Sequence, residues 1–353
     1  MTDDVVREFA MRCPVPLPPG DRVVLGHGSG GRLSAQLIRD LFVPVLADPT
    51  SELARLGDAA VVDVAGVRIA FSTDSFVVTP KFFPGSNIGE LAVNGTVNDL
   101  AMMGARPMFL TAALILEEGL EMEMLGAVVA SMADAAERAG VSIVAGDTKV
   151  VEQGGADGLF VTTAGIGLVP TGVEVGPDRA RPGDRVIVTG PVGSHGVAVM
   201  SRRQEIAFAG DLASDSAPLT DLVGAMLSAG DVRCLRDATR GGLASVLNEL
   251  AEASGIAIVV EEAAIPVLPP VRAACEMLGL DPLYVANEGV ACAIVGPDDV
   301  DRILEAARSR DEGAHAAVIG QVQEGPPRVA ARTGLGVTRP LLMLAGDQLP
   351  RIC

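Results

Sequence analysis

Apolar residues along this chain follow two periodicities that alternate at clear punctuation. Pro removes backbone donors and resists regular structure, so the proline-rich start from Met1 to Gly20 predicts an extended arm. A glycine-rich stretch, Gly26-His27-Gly28-Ser29-Gly30-Gly31, then leads through Arg32 into an amphipathic run, Leu33 to Leu46, that ends near Pro49. Alternating residues from Val61 to Val64 and from Val67 to Phe71 flank Ala65-Gly66 and predict a hairpin, with Asp74 at a strand end. From Asn87 to Met103 the period becomes helical, and Asn94 and Asn98, four apart, give that helix a polar face. Strands are predicted over Met108–Leu116, Val141–Ala145 and Leu159–Val169, with a helix over Glu121–Gly140.

The apolar pattern breaks between Pro170 and Gly183. Beyond it come a strand, Arg185–Thr189, and helices near Leu219–Ala229, Gly241–Ser254, Val271–Gly279 and Asp299–Ser309, separated by short β-rich runs. After His315–Val322 the chain reads as irregular, through Pro326-Pro327 and Pro340 to Leu349-Pro350-Arg351-Ile352-Cys353. The order is α+β. It predicts an arm (1–20), a first domain (21–170), a second α/β domain (171–338) and a flexible tail (339–353), and a length of 353 residues suits two domains.

Composition narrows the function classes. Hydrophobic residues make up 49% and charged residues 20%, which excludes a disordered chain. A net charge of −18 argues against nucleic acid, whose backbone needs clustered Lys and Arg to displace counterions. It leaves nucleotides open, because metal ions, helix N-termini and a few placed cations neutralise phosphates locally. No apolar run reaches the roughly 18 residues of a membrane span, and Asp3 and Asp4 spoil a signal-peptide pattern, so a cytoplasmic location is expected. The five cysteines form no C-x-x-C pair, and three read as small core residues.

The candidate chemistry sits where predicted elements end. Gly28, Gly30 and Gly31 suit a loop that offers backbone N–H groups to an anion, though a plain flexible connection explains them equally. Asp58, Asp74 and the Asn98-Asp99 pair are separated acidic sites of the kind magnesium accepts alongside phosphate oxygens. Gly146-Asp147-Thr148-Lys149 adds a carboxylate and a cation at a strand end. Each taken alone also serves as a cap or turn residue. Asp237-Ala238-Thr239-Arg240-Gly241-Gly242 and Asn287-Glu288-Gly289 could face one cleft, with Thr239 as an N-cap and Glu288 as a strand-entry residue being the plainer readings. His195 and His315 suit packing or surface roles. Cys353 as last residue has no packing role on a flexible end, fails the prenylation pattern, and offers a nucleophilic thiol.

These motifs, together with Phe82-Phe83-Pro84-Gly85, Asn87-Ile88-Gly89 and Ile115-Leu116-Glu117-Glu118-Gly119, make the chain resemble the aminoimidazole ribonucleotide synthetase-like (PurM-like) ATP-binding proteins. Within them it is similar to the hydrogenase-maturation carbamoyl dehydratases, and Gly146 to Val150 and the terminal Pro350-Arg351-Ile352-Cys353 carry that narrower likeness. The resemblance implies a homodimer paired through the first-domain sheets, with ATP between the domains. It implies that Cys353 is loaded by a HypF-like carbamoyltransferase, that the carbamoyl group is dehydrated at the expense of ATP, and that a HypC–HypD-like iron scaffold receives the cyanide. By the same token Asp58, Asp74 and Asp99 would hold Mg2+ and phosphates, Asp147 and Thr148 the nucleotide, Lys149 the phosphoryl oxygens, and Glu288 would act as base. Two rivals are a ligase or kinase of the same fold, against which Cys353 argues, and a non-catalytic scaffold, against which the aspartates argue.

Overall fold

The computed structural model describes residues 22–47, 51–206, 212–346, 349 and 351–353. The expected N-terminal arm and Cys13 lie outside them. The first half runs α1 (Arg32–Leu37), a π-helical turn, α2 (Val43–Leu46), β1 (Ala60–Val64), β2 (Val67–Phe76), a small hairpin of β3 (Phe82–Phe83) and β4 (Ser86–Asn87), α3 (Ile88–Met102), β5 (Arg106–Glu117), α4 (Met122–Ala139), β6 (Ser142–Val151) and β7 (Leu159–Leu168). Its sheet has the order β1-β2-β7-β5-β6, antiparallel except for the β5–β6 pair.

The second half runs β8 (Arg185–Val188), α5 (Ser194–Arg203), α6 (Thr220–Ala229), β9 (Val232–Asp237), α7 (Gly242–Ser254), β10 (Ala257–Glu261), α8 (Pro269–Leu278), β11 (Ala291–Val295), α9 (Val300–Arg308), β12 (Ala317–Gln323), β13 (Arg328–Arg332) and β14 (Thr338–Pro340). These strands form a sheet of order β14-β13-β10-β12-β8-β11-β9. The likeness in architecture to the expected α+β pair is close, with two additions. Helix α5 forms where the glycine-spaced Gly193-Ser194-His195-Gly196 gave no periodic signal, and β13 and β14 form beyond Pro326-Pro327, where β13 finds a parallel partner in β10.

Helix α3 joins the halves. It is apolar on almost every side, and 13 of its 15 residues are buried, as a helix hydrophobic all round must be. Asn87 caps it, its Oδ1 accepting from the N–H groups of Gly89 and Glu90. The polar face expected at Asn94 and Asn98 is turned inward: Asn94 Nδ2 donates to Ser216 while its Oδ1 has no partner among the described residues, and Asn98 Nδ2 donates to the carbonyl oxygens of Ala217 and Glu288 while its Oδ1 accepts from Leu219 N–H. Both side chains thus stitch the first half to the loop before α6.

Candidate functional site

Three carboxylates from different parts of the chain converge beside α3. Asp58 precedes β1, Asp99 lies on α3 and Asp237 ends β9, and they can present ligand oxygens that all lie within 4.8 Å of one another. Asp74 on β2 adds its field to all three. Burial raises Asp58 to about 6 and lifts Asp99 and Asp237 well above the usual carboxylate range, with the neighbouring aspartates pushing further. One guanidinium opposes this: Arg236 Nε sits 3.2 Å from Asp58 and 2.9 Å from Glu249. Ser72 Oγ also donates to Asp99. An all-oxygen donor set with surplus negative charge fits a hard divalent cation such as magnesium.

Glu288 lies deeper. It is 3% exposed, its Oε1 has no hydrogen-bond partner among the described residues, and burial followed by repulsion from Asp237 and Asp215 raises its pKa well above normal. Asp215, which the sequence reading did not single out, lies under the same turn: its Oδ2 accepts from the N–H groups of Glu288 and Gly289 at 3.3 and 3.4 Å. Burial raises Asp215 to about 6. Arg240 lines one cleft with Cys353, and the charges of Cys353, then Asp74, Glu288 and Asp99, favour its protonated form.

The end of the chain, expected to be a loose tail, is seated here. Val77 N–H donates to Cys353 O and Thr79 N–H to Arg351 O, so residues 351–353 lie antiparallel to the extension of β2. Arg351 bonds to Val77 O and pairs with Asp157, Arg203 donates to Thr79 O and Arg351 O, and Ile352 is 2% exposed. A buried apolar residue between backbone hydrogen bonds is enough to dock so short a segment. A cleft of about 140 Å³ opens between this strand and the glycine loop, lined by Gly28, Ser29, Ser75, Arg240, Ile352 and Cys353.

The glycine loop owes its sequence to close packing as well as to openness. Gly30 has φ +73°, and a Cβ there would lie 2.7 Å from the Arg240 carbonyl oxygen; one at Gly31 would lie 2.7 Å from Leu344 O. Only Gly28 has open space at its Cβ position, and its carbonyl accepts from Arg240. Asn98, expected near the nucleotide, has its amide engaged by backbone groups as described above.

Lys149, Asp147 and Thr148 stand apart from the aspartates. Strand β6 does not end at Gly146: its parallel pairing with the long β5 carries it to Val151, so Asp147, Thr148 and Lys149 lie inside a strand. Asp74 is level with Thr163, Ala112 and Gly146 across the sheet, three strand spacings or roughly 14 Å from β6. Asp147 and Lys149 align with Ala113 and Ile115, on the face opposite Ala112 and Thr163, and they pair with each other at 2.6 Å in the open. Strand register and face, which spacing in sequence does not reveal, decide this. Asp237 was visible in its motif but not as a fourth acid of the same cluster, because it arrives from the other sheet.

Comparison with known proteins follows the same outline. The N-terminal domain model of the AIR synthase related proteins matches residues 56–169, and their C-terminal domain model matches residues 181–331. A Cupriavidus necator protein called "Carbamoyl dehydratase HypE" is 52% identical over 336 residues, covering 94% of this chain and 95% of that protein. A structure described as hydrogenase maturation protein HypE in complex with ATP is similar at a TM-score of 0.79 and 48% identity, covering 94% of this chain and 100% of that one. A chain of a HypE–HypF complex is similar at 0.83 and 44%, covering 87% of this chain and 99% of that one.

Proposed function

This chain belongs to the AIR synthase related proteins and, within them, to the carbamoyl dehydratases of hydrogenase maturation, and from that premise we propose how its residues divide the reaction. It binds ATP and works with a HypF-type partner. Cys353 carries the carbamoyl group as R–S–C(=O)–NH2. The carbamoyl oxygen attacks the γ-phosphorus of ATP and ADP leaves, one N–H proton departs, and R–S–C(OPO3)=NH results. Loss of the second N–H proton expels phosphate and leaves R–S–C≡N, ready for transfer of cyanide to an iron-carrying scaffold.

The observation that carries this division is the seat of Cys353 in one cleft with Arg240, whose charge is also favoured by Glu288 and Asp74. Glu288 is the base: a buried carboxyl with an unpartnered oxygen and a raised pKa is matched to taking a proton near neutral pH. Asp58, Asp99 and Asp237, with Asp74 beside them, would hold Mg2+, which supplies charge neutralisation for the phosphates. Arg240 sets a positive charge in the cleft that Cys353 lines.

The open sheet face supports the homodimer. Phe71, Ile166 and Phe109 form one exposed apolar row across β2, β7 and β5, and Ile115 is exposed six residues further along β5, beside Lys149. A contiguous apolar face of this kind marks an interface. Pairing two sheets through it covers Asp147 and Lys149 and gives them a second chain to serve.

The test is to supply the protein with its carbamoyltransferase partner, carbamoyl phosphate and ATP and to read the C-terminal peptide by mass spectrometry. The expected result is carbamoylated Cys353 without ATP and the same peptide less one water with it. Carbamoyl label on Cys234, Cys275 or Cys292 instead would overturn the reading.

A further inference from the structure

A dehydration on a carrier thiol needs the thiol held in one place relative to the base, and one buried side chain lies between them. His195, in the first turn of α5, is fully buried. Its Nε2 is 2.8 Å from Ile352 O and its Nδ1 2.9 Å from Ser214 Oγ, and Phe83 meets the ring edge-on at 5.3 Å between centroids. A carbonyl only accepts, so Nε2 carries the proton and donates to Ile352. Burial pushes His195 down to about 4, so the ring is neutral and Nδ1 accepts from the Ser214 hydroxyl. Ser214 Oγ in turn accepts from Ser216 N–H.

The same ring is linked to the base through its other nitrogen. The link runs through Ser214, whose chain neighbour Asp215 accepts from the N–H groups of Glu288 and Gly289. One residue therefore holds the carbonyl immediately before Cys353 and the loop immediately beneath Glu288. The backbone bonds from Val77 and Thr79 fix which way the terminal strand runs. They leave Ile352 O, on the other edge of that strand, to be fixed by His195.

We propose that His195 is a positioning residue for the dehydration, seating the terminal strand so that the group on Cys353 meets Glu288. The inference rests on the carrier role proposed above. It predicts that the donor at Nε2, and not the volume of the ring, matters to the rate.

Two space-filling variants separate these. His195→Leu fills the core without a donor; His195→Gln fills it with an amide N–H that can reach the Ile352 carbonyl. Folding of each is checked by urea unfolding, loading of Cys353 by the partner transferase, and seating by the alkylation rate of Cys353 with iodoacetamide. In single-turnover conversion of the loaded protein with ATP, His195→Leu should convert roughly ten times more slowly and alkylate several times faster, with loading unchanged. His195→Gln should recover most of both. Wild-type conversion and alkylation rates in His195→Leu, or equal defects in two folded variants, overturn the proposal while leaving the carrier role intact. Absence of conversion in the wild-type protein would instead remove the carrier role itself.

Discussion

Replacing Glu288 by Gln keeps the shape of a buried side chain and removes its capacity to accept a proton. Conversion of loaded Cys353 should fall roughly 10²–10⁴-fold, the range for a lost general base, while ATP binding measured by calorimetry persists. Asp215 titrates next to it. Its carboxyl is raised to about 6 by burial, so the folded state holds the proton more tightly than the unfolded chain, and ionisation removes stability as pH rises through that value. Asp215→Asn never ionises and still accepts the two backbone N–H groups. Between pH 4 and pH 7 the stability of wild type relative to this variant should therefore decline, by up to about 3 kcal/mol, in urea unfolding. Among single residues, the acids at loop ends were legible in the sequence only jointly, because each alone also suits a cap or turn and it is their number at element ends that points to a metal and phosphates. Asp215 and His195 were not, since Ser214-Asp215-Ser216 and Ser194-His195 acquire their meaning only from what the fold packs against them.

At the scale of elements, α3 was the most legible feature. A run from Ile88 to Met102 that is mostly apolar and carries two asparagines four apart has to be central, with those amides meeting partners inside. Its fit is tight at one end, where a Cβ on Gly89 would lie 2.3 Å from Val128 O of α4. Gly89→Ala should push α3 from α4 and lower stability by about 1–3 kcal/mol, the usual range for overpacking, and shift the helix that carries Asp99. Thermal unfolding with and without ATP would read both effects. Strand β6 was the least legible element, for its continuation past Gly146 is set by the length of β5 and not by its own pattern. That single difference moved Lys149 and Asp147 from the cleft to the open face of the sheet.

At the scale of the whole molecule, the acid cluster draws Asp58 and Asp99 from one half and Asp237 from the other, so neither half holds a complete set. The proposed homodimer would use the open apolar face. A charge placed in its middle row, Phe109→Glu, should leave the chain folded yet monomeric in sedimentation velocity. The terminal strand has a consequence of another kind. A group tethered to its site by a short docked segment experiences an effective concentration in the millimolar range, whatever the dilution of the protein. A chain truncated before Leu349 should accordingly dehydrate a separate carbamoylated peptide ending in Pro-Arg-Ile-Cys only when that peptide is supplied at roughly millimolar levels. The intact protein should convert its own tail at a rate independent of enzyme concentration, so that dilution, which slows encounters with partners, leaves the chemistry untouched.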